Sequence, residues 1–227
     1  MNSETQSNKF DRIVKILTGL AMFIYPLAQA IAFAIHPQFL TFKRETGALI
    51  QYDYIQNWGW QTGHTLVYAT LPLGILVWAQ LARLVGKSRP WLALVGILAS
   101  WLGLGYTIGN FGSVMAEGTI GLMLPKEVAL PAIQLFLDNA GMMKLTFIGQ
   151  IVGLFGPIIL LLALTISPKL KLAPRWSGPL ALLGNLIIIV FIDIDGFMIW
   201  GALAIWVALM PMALKFLKGQ TPGQEPV

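Results

Sequence analysis

A chain of 227 residues that is 56% hydrophobic and only 11% charged, with mean hydropathy +0.73, is built for lipid, because water-soluble domains carry about a quarter charged residues. The absence of cysteine excludes disulfides, thiolate metal ligands and a cysteine nucleophile, and two histidines cannot supply a three-imidazole metal centre. The net charge of +5 does not point to nucleic acid, because the basic residues lie in short clusters beside apolar runs, as orientation signals and headgroup contacts do.

Each membrane crossing needs roughly 20 apolar residues. After a polar start with Lys9, Arg12 and Lys15, the first apolar run covers residues 17–35. Its basic start and the small-residue patterns AQA and AFA before His36 resemble a cleavable signal peptide. The run is long for a signal core, so it is expected to remain a helix. A second run, 65–81, is closed by Arg83, Lys87 and Arg89, and a third covers 91–108. The fourth, 145–166, ends at SPKLKLAPRW.

From Trp176 to Leu214 the chain is apolar for 39 residues, interrupted only by Asp193 and Asp195. That is about twice one crossing. A helical hairpin over 177–192 and 197–214 places DIDG at its turn, where Gly196 can end a helix and the carboxylates can reach water. Carboxylates left at the bilayer centre would cost several kcal/mol each.

With six spans and both termini inside, the cytoplasmic segments hold eleven basic residues and the outer ones four, Lys43, Arg44, Lys126 and Lys144. The positive-inside rule favours this orientation. Trp91 and Trp176 fall at the inner boundary, and Trp58 and Trp60 near the outer one. The reading is therefore an all-α polytopic membrane protein, a bundle of six transmembrane helices in a bacterial-type inner membrane. A cytoplasmic segment 1–16 precedes the membrane domain 17–214, and a cytoplasmic tail 215–227 follows it.

Two outer segments, 36–64 and 110–144, are much longer than the inner connections. Segments of that length usually carry function or structure of their own. The second is too apolar to be solvated, and Pro125 is placed to open a short helix over 127–136.

Acidic residues Glu45, Asp53, Glu117, Glu127, Asp138, Asp193 and Asp195 all fall on the outer side, with His36 and His64. A metal-ion reading takes His64, Asp138, Asp193 and Asp195 as ligands. The plainer reading is that carboxylates solvate an outer surface. His36 and His64, at adjacent helix ends, also raise axial haem ligation. No cofactor can be named from the sequence.

Within the spans, Tyr25, Gln29, Tyr106, Asn110 and Gln150 lie at outer or middle depth. Such groups either join helices by hydrogen bonds or line a mostly apolar pocket. Gly105 with Gly109, and Gly149 with Gly153, form small-xxx-small pairs for close helix approach. Pro26, Pro72, Pro157 and Pro211 fall inside spans and predict kinks. No HExxH, nucleophile elbow or phosphate loop is present.

The stretches HTLVYATLPLGILVWAQLARLVGKSRPWLALVGILA and KLKLAPRWSGPLALLGNLIII, the second with Pro174, Arg175 and Trp176 introducing the fifth span, are similar to a broad group of small, mostly uncharacterised bacterial six-helix integral membrane proteins. The resemblance covers about 65–189 and implies the six-helix fold without an activity.

The functional expectation is a protein that binds, or helps to transport, a small lipophilic or amphipathic molecule in an outward-facing pocket. That pocket would be lined by the five polar residues and covered by segment 114–143. One rival is a metal-dependent membrane enzyme with an outer Asp/His site. Another is a structural subunit, packed on a membrane-protein partner or a second copy, with an exposed small-residue face at Ala28, Ala30, Ala32 and Ala34. The bilayer is a partner in every case; nucleic acid is a partner in none.

Overall fold

The computed structural model describes residues 3–43, 46–138, 140–167, 173–192 and 194–220, with side chains outside 3–8 and 140–147. The described residues form eight helices: α1 (Ser3–Ile35), α2 (Ala48–Ile55), α3 (Trp58–Gly86), α4 (Pro90–Met123), α5 (Lys126–Asp138), α6 (Ala140–Thr165), α7 (Ser177–Val190) and α8 (Asp195–Leu217). Parts of α1 and α6, and the whole of α3, α4 and α8, are long and apolar enough to cross a membrane. At 14 residues, α7 is shorter.

Six helices close a ring in chain order. α1 packs on α3, α3 on α4, α4 on α6, α6 on α7, α7 on α8, and α8 returns to α1. Met22, Leu71, Val77, Leu81, Leu160, Leu161, Leu209, Met212 and Phe216 fill its core. Large apolar side chains also cover the outside, among them Leu98, Trp101 and Leu102 on α4 and Val152 and Phe155 on α6. An apolar exterior of this extent suits a lipid solvent.

Small residues set the helix crossings. Gly103 of α4 and Gly153 of α6 meet backbone to backbone, so a Cβ on either would overlap the other's Cα. One turn away Gly156 lies on Ser100, and toward the other end Gly149 lies beneath the Tyr106 ring. Gly184 meets Gly201 between α7 and α8, and Gly63 meets the Ala32 carbonyl between α1 and α3. The expected pair Gly149 and Gly153 is thus at an interface, whereas Gly105 faces open space. Gly105 lies about 200° around the helix from Gly103, at 100° per residue, and so points away from α6. Of the four alanines expected on an exposed small-residue face, Ala28, Ala30 and Ala32 are buried and Ala34 is exposed.

Contacts at the helix ends define the two ends of the bundle. Ser88, just after α3, donates to Ser167, just after α6, at 3.1 Å. His36, just after α1, meets the ring of His64 near the start of α3 and lies 2.7 Å from Asp195 at the start of α8. α6 therefore finishes at the end marked by Ser88, and α8 begins at the end marked by the histidines. The segment 173–192, with α7 at its centre, leads from one to the other.

α7 and α8 fall where the apolar run places them. The expected outer turn is modified in one respect: Asp195 is only 13% exposed and paired with His36, rather than open to water. Asp193 lies outside the described residues. Pro26, Pro72, Pro157 and Pro211 each sit within a continuous helix.

Candidate functional site at the histidine end

The third span does not stop near Ile108. α4 continues to Met123, 34 residues in all, or about 51 Å at 1.5 Å per residue. That exceeds the hydrocarbon thickness by roughly 20 Å. Its last turns stand beside α2 and α5, and together with the start of α3 they enclose a second core of Ile55, Trp60, Ala129 and Ile133. Gly118 lies against the Trp60 ring and Gly121 against Ile55, so the missing side chains make room for the large ones. Gln56 Nε2 donates to the Gly121 carbonyl at 2.8 Å, and the Asn57 side chain caps α3 by accepting from Gly59 N–H at 2.7 Å. α5 begins after Pro125, as its sequence predicts, and runs from Lys126 to Asp138.

Beneath this cap the histidines gather. His36 Nδ1 lies 2.7 Å from Asp195 Oδ2, with side chains 15% and 13% exposed. Asp195 sits in the first turn of α8, where the helix dipole favours a carboxylate. His64 Nδ1 is 2.8 Å from the Trp60 carbonyl. A carbonyl only accepts, so Nδ1 carries the hydrogen and the neutral ring keeps Nε2 as an acceptor. The His64 ring is 5.2 Å from that of His36, 4.3 Å from Trp60 and 5.8 Å from Phe111. After α1 the chain folds over the start of α8: Gly196 lies against the Phe39 carbonyl, and Phe42 is 5.1 Å from Phe197. Phe197 in turn stacks on Phe191 at 4.1 Å.

A second carboxylate is withdrawn from solvent at the same end. Glu117 of α4 is 4% exposed, and Gln51 Nε2 lies 3.5 Å from its Oε2. Among the described residues, Asp195 and Glu117 are the acidic groups withdrawn from solvent. The rest, such as Asp53 and Asp138, are exposed.

The five residues expected to line a pocket fall at two helix interfaces. Between α1 and α3, the Tyr25 ring lies against Gly74 and edge-on to Trp78 at 6.4 Å, and Gln29 Nε2 donates to Thr70 Oγ1 at 3.5 Å. Between α4 and α6, Tyr106 covers Gly149 and Asn110 Nδ2 donates to Gln150 Oε1 at 3.2 Å. Gln29, Asn110 and Gln150 thus hydrogen-bond across helices, while the two tyrosine rings pack on glycines of the facing helix. Of the four expected metal ligands, His64 and Asp195 come together, joined through His36. Asp138 is exposed on α5 and accepts from Gln134 Nε2 at 2.8 Å, and Asp193 lies outside the described residues. Among the described residues no group of three His, Asp or Glu side chains converges as a metal ion requires. Two imidazoles in edge contact at 5.2 Å leave no room for a porphyrin between them.

No family model, curated protein or solved structure matches the chain.

Sequence reasoning ranked Glu117 and Trp60 too low. A signal was available: Val114, Glu117, Gly118 and Gly121 recur at helical spacing, which places the glutamate on the face that its small neighbours open to α2 and α3. Chemically, this end offers an imidazole held by a carboxylate, a second imidazole with an open acceptor, and a further carboxylate near aromatic walls. That set can orient a polar or cationic group.

Proposed function

We propose that the chain is a six-crossing protein of a bacterial-type inner membrane that binds a small amphipathic molecule at its outer end. The apolar body of the ligand packs under the cap, and its polar head meets the histidine and carboxylate groups. The observation that carries this reading is Trp60. Its ring belongs to the cap's core while its carbonyl fixes His64 at 2.8 Å, so the cap and the polar cluster are one unit. Sites of this kind combine apolar walls with a few placed polar groups.

The sixth crossing is α7, which leads from the Ser88 end to the histidine end and packs between α6 and α8 in the ring. The excess of basic residues near Lys15, Arg83 and Lys215 supports placing that end in the cytoplasm with both termini. The end of α4 and α5 then form the lid expected over 114–143, and binding or release of the ligand requires them to part from α2.

The test is to purify the protein in mild detergent from membranes of its native host and identify by mass spectrometry what denaturation releases. A stoichiometric amphipathic molecule, lost from the Trp60→Ala and His64→Ala variants, is expected. Purified protein that carries nothing, and gains nothing from its own membrane extract, would overturn the proposal.

A further inference from the structure

We infer that the opposite, basic end holds a site for a phosphate group, in the cleft between α1 and α3. The cleft is a cavity of about 160 Å³ lined by Asp11, Val14, Lys15, Gln80, Arg83, Leu84 and Lys87. It lies apart from the proposed ligand site, at the other end of the bundle.

The charges of this cavity do not cancel. Lys15 Nζ is 2.6 Å from Asp11 Oδ2 on the next turn of α1, which satisfies one cation. Arg83 near the end of α3 and Lys87 just after it share the cavity with a single carboxylate, Asp11, which Lys15 already holds. Three cations against one carboxylate leave a charge of +2 at neutral pH. Gln80, one turn earlier on α3, adds an amide that donates or accepts. Val14 and Leu84 form the apolar wall.

That composition fits phosphate. An arginine fork and a lysine point charge are the usual pair for it. A cleft of about 160 Å³ has room for the five heavy atoms of a phosphate. The position fits as well. Lys15 precedes the first apolar run and Arg83 follows the second, so the cleft lies where headgroups begin. Ile13 and Leu17, on either side of Val14 and Lys15, are exposed apolar residues along which an acyl chain can lie. Basic pockets between membrane helices are established sites for anionic headgroups. The same chemistry also serves a soluble phosphate.

The experiment uses the full chain in detergent, and native mass spectrometry reads retained lipid after addition of phosphatidylglycerol or phosphatidylcholine, with and without inorganic phosphate. Three proteins are compared: the native chain, Arg83→Gln with Lys87→Gln, and a control, Lys215→Gln with Lys218→Gln, altered at the same end of the bundle at the end of α8. All four positions carry partly or fully exposed side chains, so folding is preserved. The native chain is expected to prefer phosphatidylglycerol. The cleft pair should lose about fivefold in affinity per cation, or about 30-fold in all, while the control pair loses little. Displacement of the lipid by millimolar inorganic phosphate, or binding of phosphate with no lipid preference, would confirm the phosphate site and assign it to a soluble ligand. Equal losses from the two pairs would overturn the inference, because the effect would then belong to the basic surface at large. Failure of the native chain to hold either phosphate source would overturn it too.

Discussion

Asp195 and His36 are 159 positions apart in sequence and join the end of α1 to the start of α8. Breaking that pair measures how far the polar cluster braces the histidine end. Imidazole and carboxylate lie 2.7 Å apart and are both withdrawn from solvent, so removing one leaves the other without its polar partner, at a cost of about 1.5–3 kcal/mol. His36→Ala also removes the edge contact with His64, worth about 0.5–1.5 kcal/mol. Asp195→Ala instead removes a negative charge from the first turn of α8, worth about 0.3–1 kcal/mol. Each single variant should therefore lose about 2–4 kcal/mol of stability.

The double variant should lose less than the sum, by the 1.5–3 kcal/mol or so that both singles remove. Equilibrium unfolding of the four proteins in mixed micelles gives this coupling directly. Asp138→Ala serves as a control, since Asp138 is exposed and, among the described residues, bonded within α5 to Gln134; it should fall within about 0.5 kcal/mol of the parent. Additivity of the His36 and Asp195 effects to within about 0.5 kcal/mol, as for distant sites, would refute the idea that the pair is one energetic unit.

Glycine substitutions on α4 should separate by position. Gly103→Ala pushes a methyl into Gly153 and should cost about 1–3 kcal/mol, whereas Gly105→Ala meets open space and should gain about 0.5–1 kcal/mol from helix propensity; equal melting temperatures would contradict the packing described. Asn110→Leu and Gln150→Leu each remove one interhelical bond of 3.2 Å and should cost only about 0.6 kcal/mol, with a much larger loss pointing to a wider polar network. Because the chain lacks cysteine, single cysteines report topology cleanly. Cysteines at Asp53 and Glu127 should react with an impermeant thiol reagent on intact cells. Those at Lys87, Arg175 and Lys215 should react only after the membrane is opened. The reverse pattern would invert the orientation, and outside labelling at Lys215 alone would remove one crossing.

What could be read from sequence was whatever depends on local composition. The long apolar run broken by DIDG separates α7 from α8, and Pro125 opens α5, because length and turn chemistry are local signals. The extension of α4 was hidden. NFGSVMAEGTIGLM contains three glycines and a glutamate and so reads as the start of an outer segment beyond the third span, yet it stays helical, with Gly118 and Gly121 admitting Trp60 and Ile55 from other helices. The same limit applies to Gly105 and Gly103. Both belong to an apolar span, and only the position of α6 decides which one is an interface residue. Asp195 was placed correctly at a turn, but its partner lies at the end of the first helix. Tyr25, Gln29, Tyr106, Asn110 and Gln150 were recognised as polar groups that must turn inward. Inward, they meet one another and their neighbours across helix pairs, while the histidine end carries the ionisable groups withdrawn from solvent.

Glu117 distinguishes stability from function at that end. A buried carboxylate is a poor choice for stability alone, since withdrawing a charge from water costs several kcal/mol unless it is fully paired. Glu117→Gln changes one oxygen for an amide and leaves an acceptor for Gln51, 3.5 Å away. If the carboxylate serves a ligand, this variant should unfold no more easily than the parent, and it should release less of the bound molecule when denatured. Stability gained at the expense of binding is the usual sign of a site held against the preference of the fold. A loss of more than about 3 kcal/mol, the size seen when a buried pair is broken, would make Glu117 a structural brace between α4 and α2. The proposed site would then rest on the histidine cluster alone.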